Sequence, residues 1–313
     1  TQFLIWRAGY AKAFFKALDP RLENIVEDKL NCPISPLGEK AGGISKYGSA
    51  LTGLKEGTAI AVGNIDAHVC VPAVKINGIG KVLAIIGTST CHMIIGREEN
   101  FVEGICGCVE DGIVPGFFGY EAGQSCVGDH FSWFVENCVS AEYQDEAKSR
   151  GISVHKLLRE KAEKLAVGES GLLALDWWNG NRSVLVNADL TGIIFGLTLQ
   201  SKCEEIYRTL IEATAFGTRV ILDNFKENGI PIDELYAAGG IPQKDPFFVQ
   251  IYADVLNIPI FLAGSEQCGA LGSAIFGAVA AGEYPSVFEA GQMMGSLKDT
   301  VYRPNPENVK RYE

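Results

Sequence analysis

Asp66 and His68 stand two positions apart in GNIDAHVCVPA, residues 63–73, in a setting that is otherwise almost wholly apolar. Asp66 follows a strand-like run and precedes a helix pattern, and two readings fit it. One is an N-cap carboxylate accepting a hydrogen bond from the next turn. The other is a carboxylate at the carboxyl end of a sheet strand, where open α/β sheets place ligand crevices, able to accept a proton from a substrate hydroxyl. His68, one step further into the apolar stretch, reads as a core histidine. Glu121, in GYEAGQS, is expected at a strand-to-helix turn among Gly and aromatic neighbours. There it either accepts hydrogen bonds from polyol hydroxyls or favours a helix N-terminus.

Glycine-rich turns supply a second kind of chemistry. Gly87-Thr88-Ser89-Thr90, at a hairpin tip, concentrates backbone N–H groups and three hydroxyls with little side-chain bulk. Those are the donors a phosphate chain needs, although Gly, Ser and Thr are also ordinary turn residues. Gly239-Gly240 lies between an apolar strand and a helix expected to begin near Asp245. Backbone can approach a flat ligand closely there, but neither GxGxxG nor GxxxxGK[ST] spacing is present. DWWNGNRS, 176–183, offers either an aromatic stacking platform or packed tryptophans beside a turn. Cys106-Gly-Cys108 and Cys91-His92 lack the second ligand pair that a closed metal site requires, and no metal ligands are assigned.

These residues need a scaffold, and the hydrophobic pattern outlines one. TAIAVGN from Thr58 reads as a strand, and KVLAIIGTSTCHMIIG as a β-hairpin. GIVPGFFGY reads as another strand, leading to a helix with Val127, Phe131, Phe134 and Val135 on one face. Residues 141–170 are polar and helical in pattern and are expected on the surface. The strongest helix pattern runs over 200–228, with Ile206, Leu210, Ala213, Gly217, Val220 and Ile221 at three-to-four spacing and Gly229 and Pro231 closing it. After it, ELYAAGG, DPFFVQIYADVLN, IPIFL and GALGSAIFGAVAAG alternate strand and helix, the order of a sheet with helices on its faces.

Composition narrows the class of partner. The chain has 313 residues, room for one large or two ordinary domains, and no apolar run near the length of a membrane span. A formal net charge of −11, without a clustered Lys/Arg surface, argues against nucleic acid as a partner. A small molecule is expected instead. Nine cysteines without framework spacing, among them Cys70, Cys91 and Cys126 in apolar stretches, read as buried thiols of a cytoplasmic protein. TQFLIWRAGY opens without a methionine, the first 50 residues are mixed with the turn-rich CPISPLGEKAGGIS at 32–45, and the closing segment starts a helix at Asn305-Pro306-Glu307 and stops soon after. The chain therefore reads as a segment of a longer one.

In order along the chain, a strand-end Asp, a GTST hairpin, a YEAGQ turn, a long helix, a strand, a GG turn and a Gly-rich helix resemble the FGGY family of carbohydrate kinases. TGLKEGTAIAVGNIDAHVCVPA, IIGTSTCHMI, GYEAGQSCVGDHFSWFV and DWWNGNRSVLVNADLTGIIFGL carry the resemblance, which runs along essentially the whole chain. It implies an α/β fold, an actin-like ATPase (ribonuclease-H-like) lobe with a mixed sheet flanked by helices. Residues 1–56 would be the tail of an N-terminal sugar-binding lobe and 57–313 the C-terminal nucleotide-binding lobe. The implied reaction is ATP-dependent phosphorylation of the terminal hydroxyl of a ketopentose, ribulose first, with another ketose or polyol such as xylulose or glycerol as the alternative. The implied cofactors are ATP and Mg²⁺, and the partners a small sugar and ATP, with homo-oligomerisation left open. A non-catalytic actin-like ATP-binding or sugar-sensing protein is the reading from a different class.

The resemblance also assigns roles. It makes Asp66 the general base for the sugar hydroxyl, Glu121 a ketose-binding residue, and Gly87, Thr88, Ser89 and Thr90 the second phosphate motif. Gly128 matches a nucleotide-contacting glycine, and Gly239 with Gly240 the adenosine motif. Lys244, in IPQKDP, stands near where several members carry a nucleotide-contacting Asn, and Thr209-Leu210 replace smaller residues in the helix pattern. The Asp-Gly-Thr phosphate motif with which family members begin is absent ahead of residue 50, so this chain alone is expected to show little kinase activity.

Overall fold

The computed structural model describes residues 10–29 and 34–313. The first nine positions and residues 30–33, including the start of the turn-rich stretch, lie outside the described residues. Helices α1 (Tyr10–Leu18) and α2 (Ile25–Lys29) lead to strand β1 (Lys40–Gly43), helix α3 (Lys46–Thr52) and strand β2 (Ala59–Ala61). β1 and β2 pair antiparallel, with Gly43 opposite Ala59. Ser45 starts α3 by accepting from the Gly48 N–H at 3.1 Å, as a serine N-cap should.

The chain then enters a seven-stranded sheet. After α4 (Asp66–Ala73), β3 (Gly80–Ile86) and β4 (Thr90–Gly96) form the expected hairpin, in a register that pairs Ile86 with Thr90 and Ala84 with His92. β5 (Gly107–Glu110) and β6 (Phe118–Gln124) extend the sheet beyond β4. The strand expected in GIVPGFFGY thus lies further along, because residues 112–117 are taken up by the turn that joins β5 to β6. Next come α5 (Gly128–Asn137), α6 (Ala141–Ser149) and α7 (Val154–Ala162), then the small antiparallel pair β7 (Leu173–Leu175) and β8 (Ile193–Phe195).

The long helix is α8 (Cys203–Glu227). Glu205 accepts from the Lys202 N–H at 2.7 Å at its start, and Gly229 takes φ +81° just beyond its end. β9 (Ile232–Ala238), α9 (Gly240–Lys244), α10 (Pro246–Leu256), β10 (Ile260–Ala263) and α11 (Cys268–Ala280) follow in the alternation expected. One boundary differs: a five-residue helix starts at Gly240, and Asp245 caps the next helix rather than the first. α12 (Val287–Met294), β11 (Leu297–Tyr302) and α13 (Pro306–Tyr312) complete the chain, α13 capped by Asn305, which accepts from the Glu307 N–H at 3.0 Å. No helix among the described residues is long and apolar enough to cross a membrane.

The strand order is β11-β10-β9-β3-β4-β6-β5, with β3, β9 and β10 parallel and the other neighbours antiparallel. Strand alternation sends Leu83, Met93, Ile95 and Tyr236 to one face, packed with residues of α4, α11 and α12. Val82, Ala84, Ile94, Tyr120 and Leu235 go to the other, against α8 and α10. The sheet is therefore a partition between two apolar layers. On the α4 side two helices meet backbone to backbone: a Cβ at Gly272 of α11 would sit 1.7 Å from the Val69 carbonyl oxygen. Gly272→Ala must push α11 off α4, and overpacking of this kind costs about 1–3 kcal/mol. Urea unfolding should show a lower midpoint at unchanged m; an unaltered midpoint would refute the close approach.

Candidate functional site

The parallel strands β3 and β9 end side by side, and turns follow both. In the β3–β4 turn the Gly87 N–H donates to the Ser89 carbonyl at 3.0 Å. The start of α5 docks on this turn, the Val127 and Gly128 N–H groups donating to the Thr88 and Gly87 carbonyls, each at 2.9 Å. A Cβ on Gly128 would lie 2.7 Å from the Gly87 oxygen. Gly239, at φ +99°, faces the other flank, where a Cβ would lie 2.2 Å from the Ile86 oxygen. Glycine is thus required on both sides for conformational and steric reasons.

Between these turns opens a cleft of about 640 Å³. Of the residues singled out in the sequence, Gly87, Thr88, Gly128, Gly240 and Lys244 line it. Ser89 and Gly239 stand beside it, and Thr90 is the first residue of β4, fully buried. The sequence reading missed the cleft's aromatic wall. Phe131 packs on Tyr207 and on Phe248, with ring centroids 5.5 and 6.2 Å apart, and Lys156 and Arg159 of α7 add positive charge at the lining. An apolar wall, small-residue turns and three cations suit a ligand with a flat ring and anionic groups.

Asp66 and Glu121 belong to the α4 side. Asp66 is the first residue of α4, exposed, with Oδ1 accepting from the Ala67 N–H at 2.9 Å. Ile65, not Asp66, occupies the cap position, so the capping reading is set aside. The expectation for Glu121 is corrected too: it lies mid-strand in β6, opposite Met93 of β4 and Gly107 of β5, not at a turn. Its carboxylate is gripped from two sides. Oε2 meets His68 Nε2 at 3.1 Å, and Oε1 accepts from Arg182 Nη2 at 2.6 Å. The His68 hydrogen bond, then the charges of His68 and Arg182, hold the Glu121 carboxyl below the usual carboxylate range against the opposing effect of burial.

His68 is buried, as a core histidine would be, but it also joins this cluster, its Nδ1 facing the Gly112 carbonyl at 3.0 Å. Arg182, in the loop between β7 and β8, was not singled out in the sequence. The one local trace is Gly123, where a Cβ would lie 2.8 Å from Arg182 Nη1. Cys91 is half-buried beside Arg182 rather than a core thiol, whereas Cys70 and Cys126 are buried. Trp178 packs against His130 and Trp133, with ring centroids 5.4 and 5.8 Å apart, which is the packing alternative for DWWNGNRS. Among the described residues no cluster of three or more His, Cys, Asp or Glu side chains is arranged to hold a metal ion.

Behind the hairpin lies a buried polar network. Gln124, in register with Thr90, donates from Nε2 to Asp176 Oδ2 at 2.7 Å and to the Thr214 carbonyl at 2.9 Å, and its Oε1 accepts from Thr218 at 2.8 Å. Gly217 of α8 leaves the space: a Cβ there would sit 2.6 Å from both Asp176 Oδ2 and Gln124 Nε2. Asp176 is 7% exposed, and burial raises its carboxyl from the ordinary 3.8 to about 6.

Residues 82–281 match the model of the FGGY family of carbohydrate kinases, C-terminal domain. The chain belongs to that family. It is 57% identical to the ribulokinase of Bacillus licheniformis over 99% of this chain and 57% of that protein. It is 50% identical to the ribulokinase of Mycolicibacterium smegmatis over 96% of this chain and 54% of that one. The chain thus spans little more than half the length of these curated relatives. Among solved structures, gluconate kinase from Lactobacillus acidophilus superposes with TM-score 0.79 at 21% identity, covering 94% of this chain and 57% of that one. Xylulose kinase from Rhodospirillum rubrum gives TM-score 0.76 at 22% identity, covering 90% and 54%. The structural likeness is one of fold: the actin-like α/β class with a mixed sheet flanked by helices.

The raised Asp176 carboxyl makes folding stability depend on pH. Its proton is held more tightly in the folded chain, so its contribution to stability is fully present below about pH 4 and is lost as pH rises towards 6. Asp176→Asn keeps an oxygen acceptor for Gln124 and removes the titration. Relative to wild type, the variant should gain up to about 3 kcal/mol between pH 4 and pH 7. Urea midpoints at both pH values test this, and parallel curves for the two proteins would refute it.

Proposed function

We propose that the protein carrying this chain is a ribulokinase, transferring the γ-phosphoryl group of ATP to the terminal hydroxyl of ribulose. The observation that carries the reading is the pairing of a free, exposed carboxylate, Asp66, with a clamped one, Glu121, in a chain 57% identical to a curated ribulokinase. A protein that only switches on nucleotide has no evident need for a polyol-facing carboxylate pair. We assign residues 57–313 to the nucleotide-binding lobe and residues 1–56 to the tail of the sugar-binding lobe.

In this mechanism Asp66 orients the sugar hydroxyl and accepts its proton as the oxygen attacks phosphorus in line. Glu121 accepts hydrogen bonds from other hydroxyls and fixes the sugar's orientation. The cleft fits ATP: its aromatic wall suits the base, and the backbone around Gly87, Thr88 and Gly128 can approach phosphate closely. Ser89 and Thr90 complete the phosphate hairpin, Gly239 and Gly240 the adenosine turn, and Lys244 adds charge at the cleft. Of the lining carboxylates Asp245 is occupied in capping α10, which leaves Asp129 for a hydrated Mg²⁺ held chiefly by phosphates. When bound, Mg²⁺ offsets charge on the transferred group. The eight described cysteines are free, which suits a cytoplasmic enzyme.

Two measurements on the complete enzyme test the proposal. ADP release with ATP and Mg²⁺ should be strongest with ribulose among L-ribulose, D-ribulose, D-xylulose and glycerol. A different preferred acceptor would leave the kinase and change its substrate, whereas ADP release unaffected by every sugar would favour a nucleotide-driven switch. Asp66→Asn should lower kcat by at least about 100-fold with ATP binding nearly intact. A variant that keeps most of its turnover would remove Asp66 from the role of base.

A further inference from the structure

Glu121 is engaged once at each oxygen, by His68 at Oε2 and by Arg182 at Oε1, and its side chain keeps 21% exposure. A carboxylate offers about four acceptor positions over two oxygens. One position per oxygen therefore remains, an arrangement that suits two adjacent hydroxyls of a polyol. The two clamps come from distant parts of the chain. His68 lies in the first turn of α4, two residues after Asp66, and is fixed at its other nitrogen by the Gly112 carbonyl. Arg182 reaches Glu121 past Gly123, where a methyl group would collide with Nη1, and that same Nη1 lies 3.7 Å from Cys91 Sγ.

We infer that His68 and Arg182 are positioning residues that hold Glu121 as a ready-made acceptor for two neighbouring hydroxyls, and that Arg182 thereby sets the affinity for the sugar. The inference rests on the reading that Glu121 meets the sugar. Arg182 is 36% exposed, and ion pairs this open add little to stability. The planar guanidinium and its short bond instead fix the carboxylate's direction. His68 links the same carboxylate to the helix that carries Asp66, so one contact orients the sugar and locates the base.

The test is steady-state kinetics and melting temperature on the complete enzyme for Arg182→Ala, Arg182→Lys, Gly123→Ala and Glu121→Gln. Arg182→Ala should raise KM for ribulose at least about tenfold, with a smaller change in kcat, unchanged KM for ATP and a melting temperature near wild type. Arg182→Lys should recover part of the loss, since an ammonium group can reach one oxygen but lacks the planar fork. Gly123→Ala would meet both Arg182 Nη1 and the Thr90 carbonyl oxygen, each 2.8 Å from its Cβ, so it should raise the sugar KM as Arg182→Ala does but with a lower melting temperature. If Glu121→Gln raises the sugar KM and Arg182→Ala does not, the clamp is wrong and the sugar site stands. If neither variant moves it, the sugar site and the clamp both fall. A parallel rise in KM for ATP with a drop in melting temperature would make Arg182 a structural residue and overturn the inference.

Discussion

The cleft of the candidate site depends on how closely backbone packs around one turn. The Gly87 hairpin is pressed from one flank by Gly128 and from the other by Gly239, with no space for a methyl group at either point. The start of α5 bonds to the hairpin carbonyls and the turn into α9 packs against the Ile86 carbonyl, so the three segments are in direct contact. The cleft inherits its shape from that contact. A side chain added at Gly128 or Gly239 would push against the hairpin backbone.

The sheet divides the labour. On the α8 face lies the aromatic wall, with the Gly87 turn at the strand end; on the α4 face lie Asp66 and the clamped Glu121. The partition is largely apolar, with His92 buried in β4 and a polar network just behind the hairpin, where Gln124 bonds to both Asp176 and Thr218. A buried polar group costs free energy unless it is paired. Here the pairing is specific, since Gln124 lies opposite Thr90 in the ladder and a Cβ at Gly217 would collide with both Asp176 and Gln124. The network therefore links the end of β6 to α8 and constrains the hairpin from below.

Much of this was legible in the sequence, because periodicity and glycine placement are local signals. The hairpin around Gly87, the long helix, and the strand–helix alternation after Ile232 appear where the pattern put them. Glu121 was misread for an identifiable reason: the glycines of FGYEAGQ look like turn residues, yet Gly119 and Gly123 are strand positions emptied for neighbours. A Cβ at Gly119 would lie 2.7 Å from the Ile113 side chain, and one at Gly123 would meet Arg182. The five-residue helix at Gly240 is shorter than periodicity can register. Arg182 was invisible because its partner lies 61 residues away, and a single sequence carries no record of that contact.

The two carboxylates illustrate two ways of fixing a group in space. Glu121 is held by its own partners. Asp66 bonds only to the next N–H in its helix, so its position must come from α4 as a whole. That helix is pinned by backbone contacts: Gly272 lies against the Val69 carbonyl, Gly291 and Gly295 against the Pro72 carbonyl, and the Ser296 N–H donates to the Ala73 carbonyl at 3.0 Å. The His68–Glu121 bond ties its first turn to β6. Phosphoryl transfer asks for placement more than for covalent help. In the base role we propose for it, Asp66 meets that demand, because only Oδ1 is bonded, to its neighbour's N–H, while the helix that carries it is held in place.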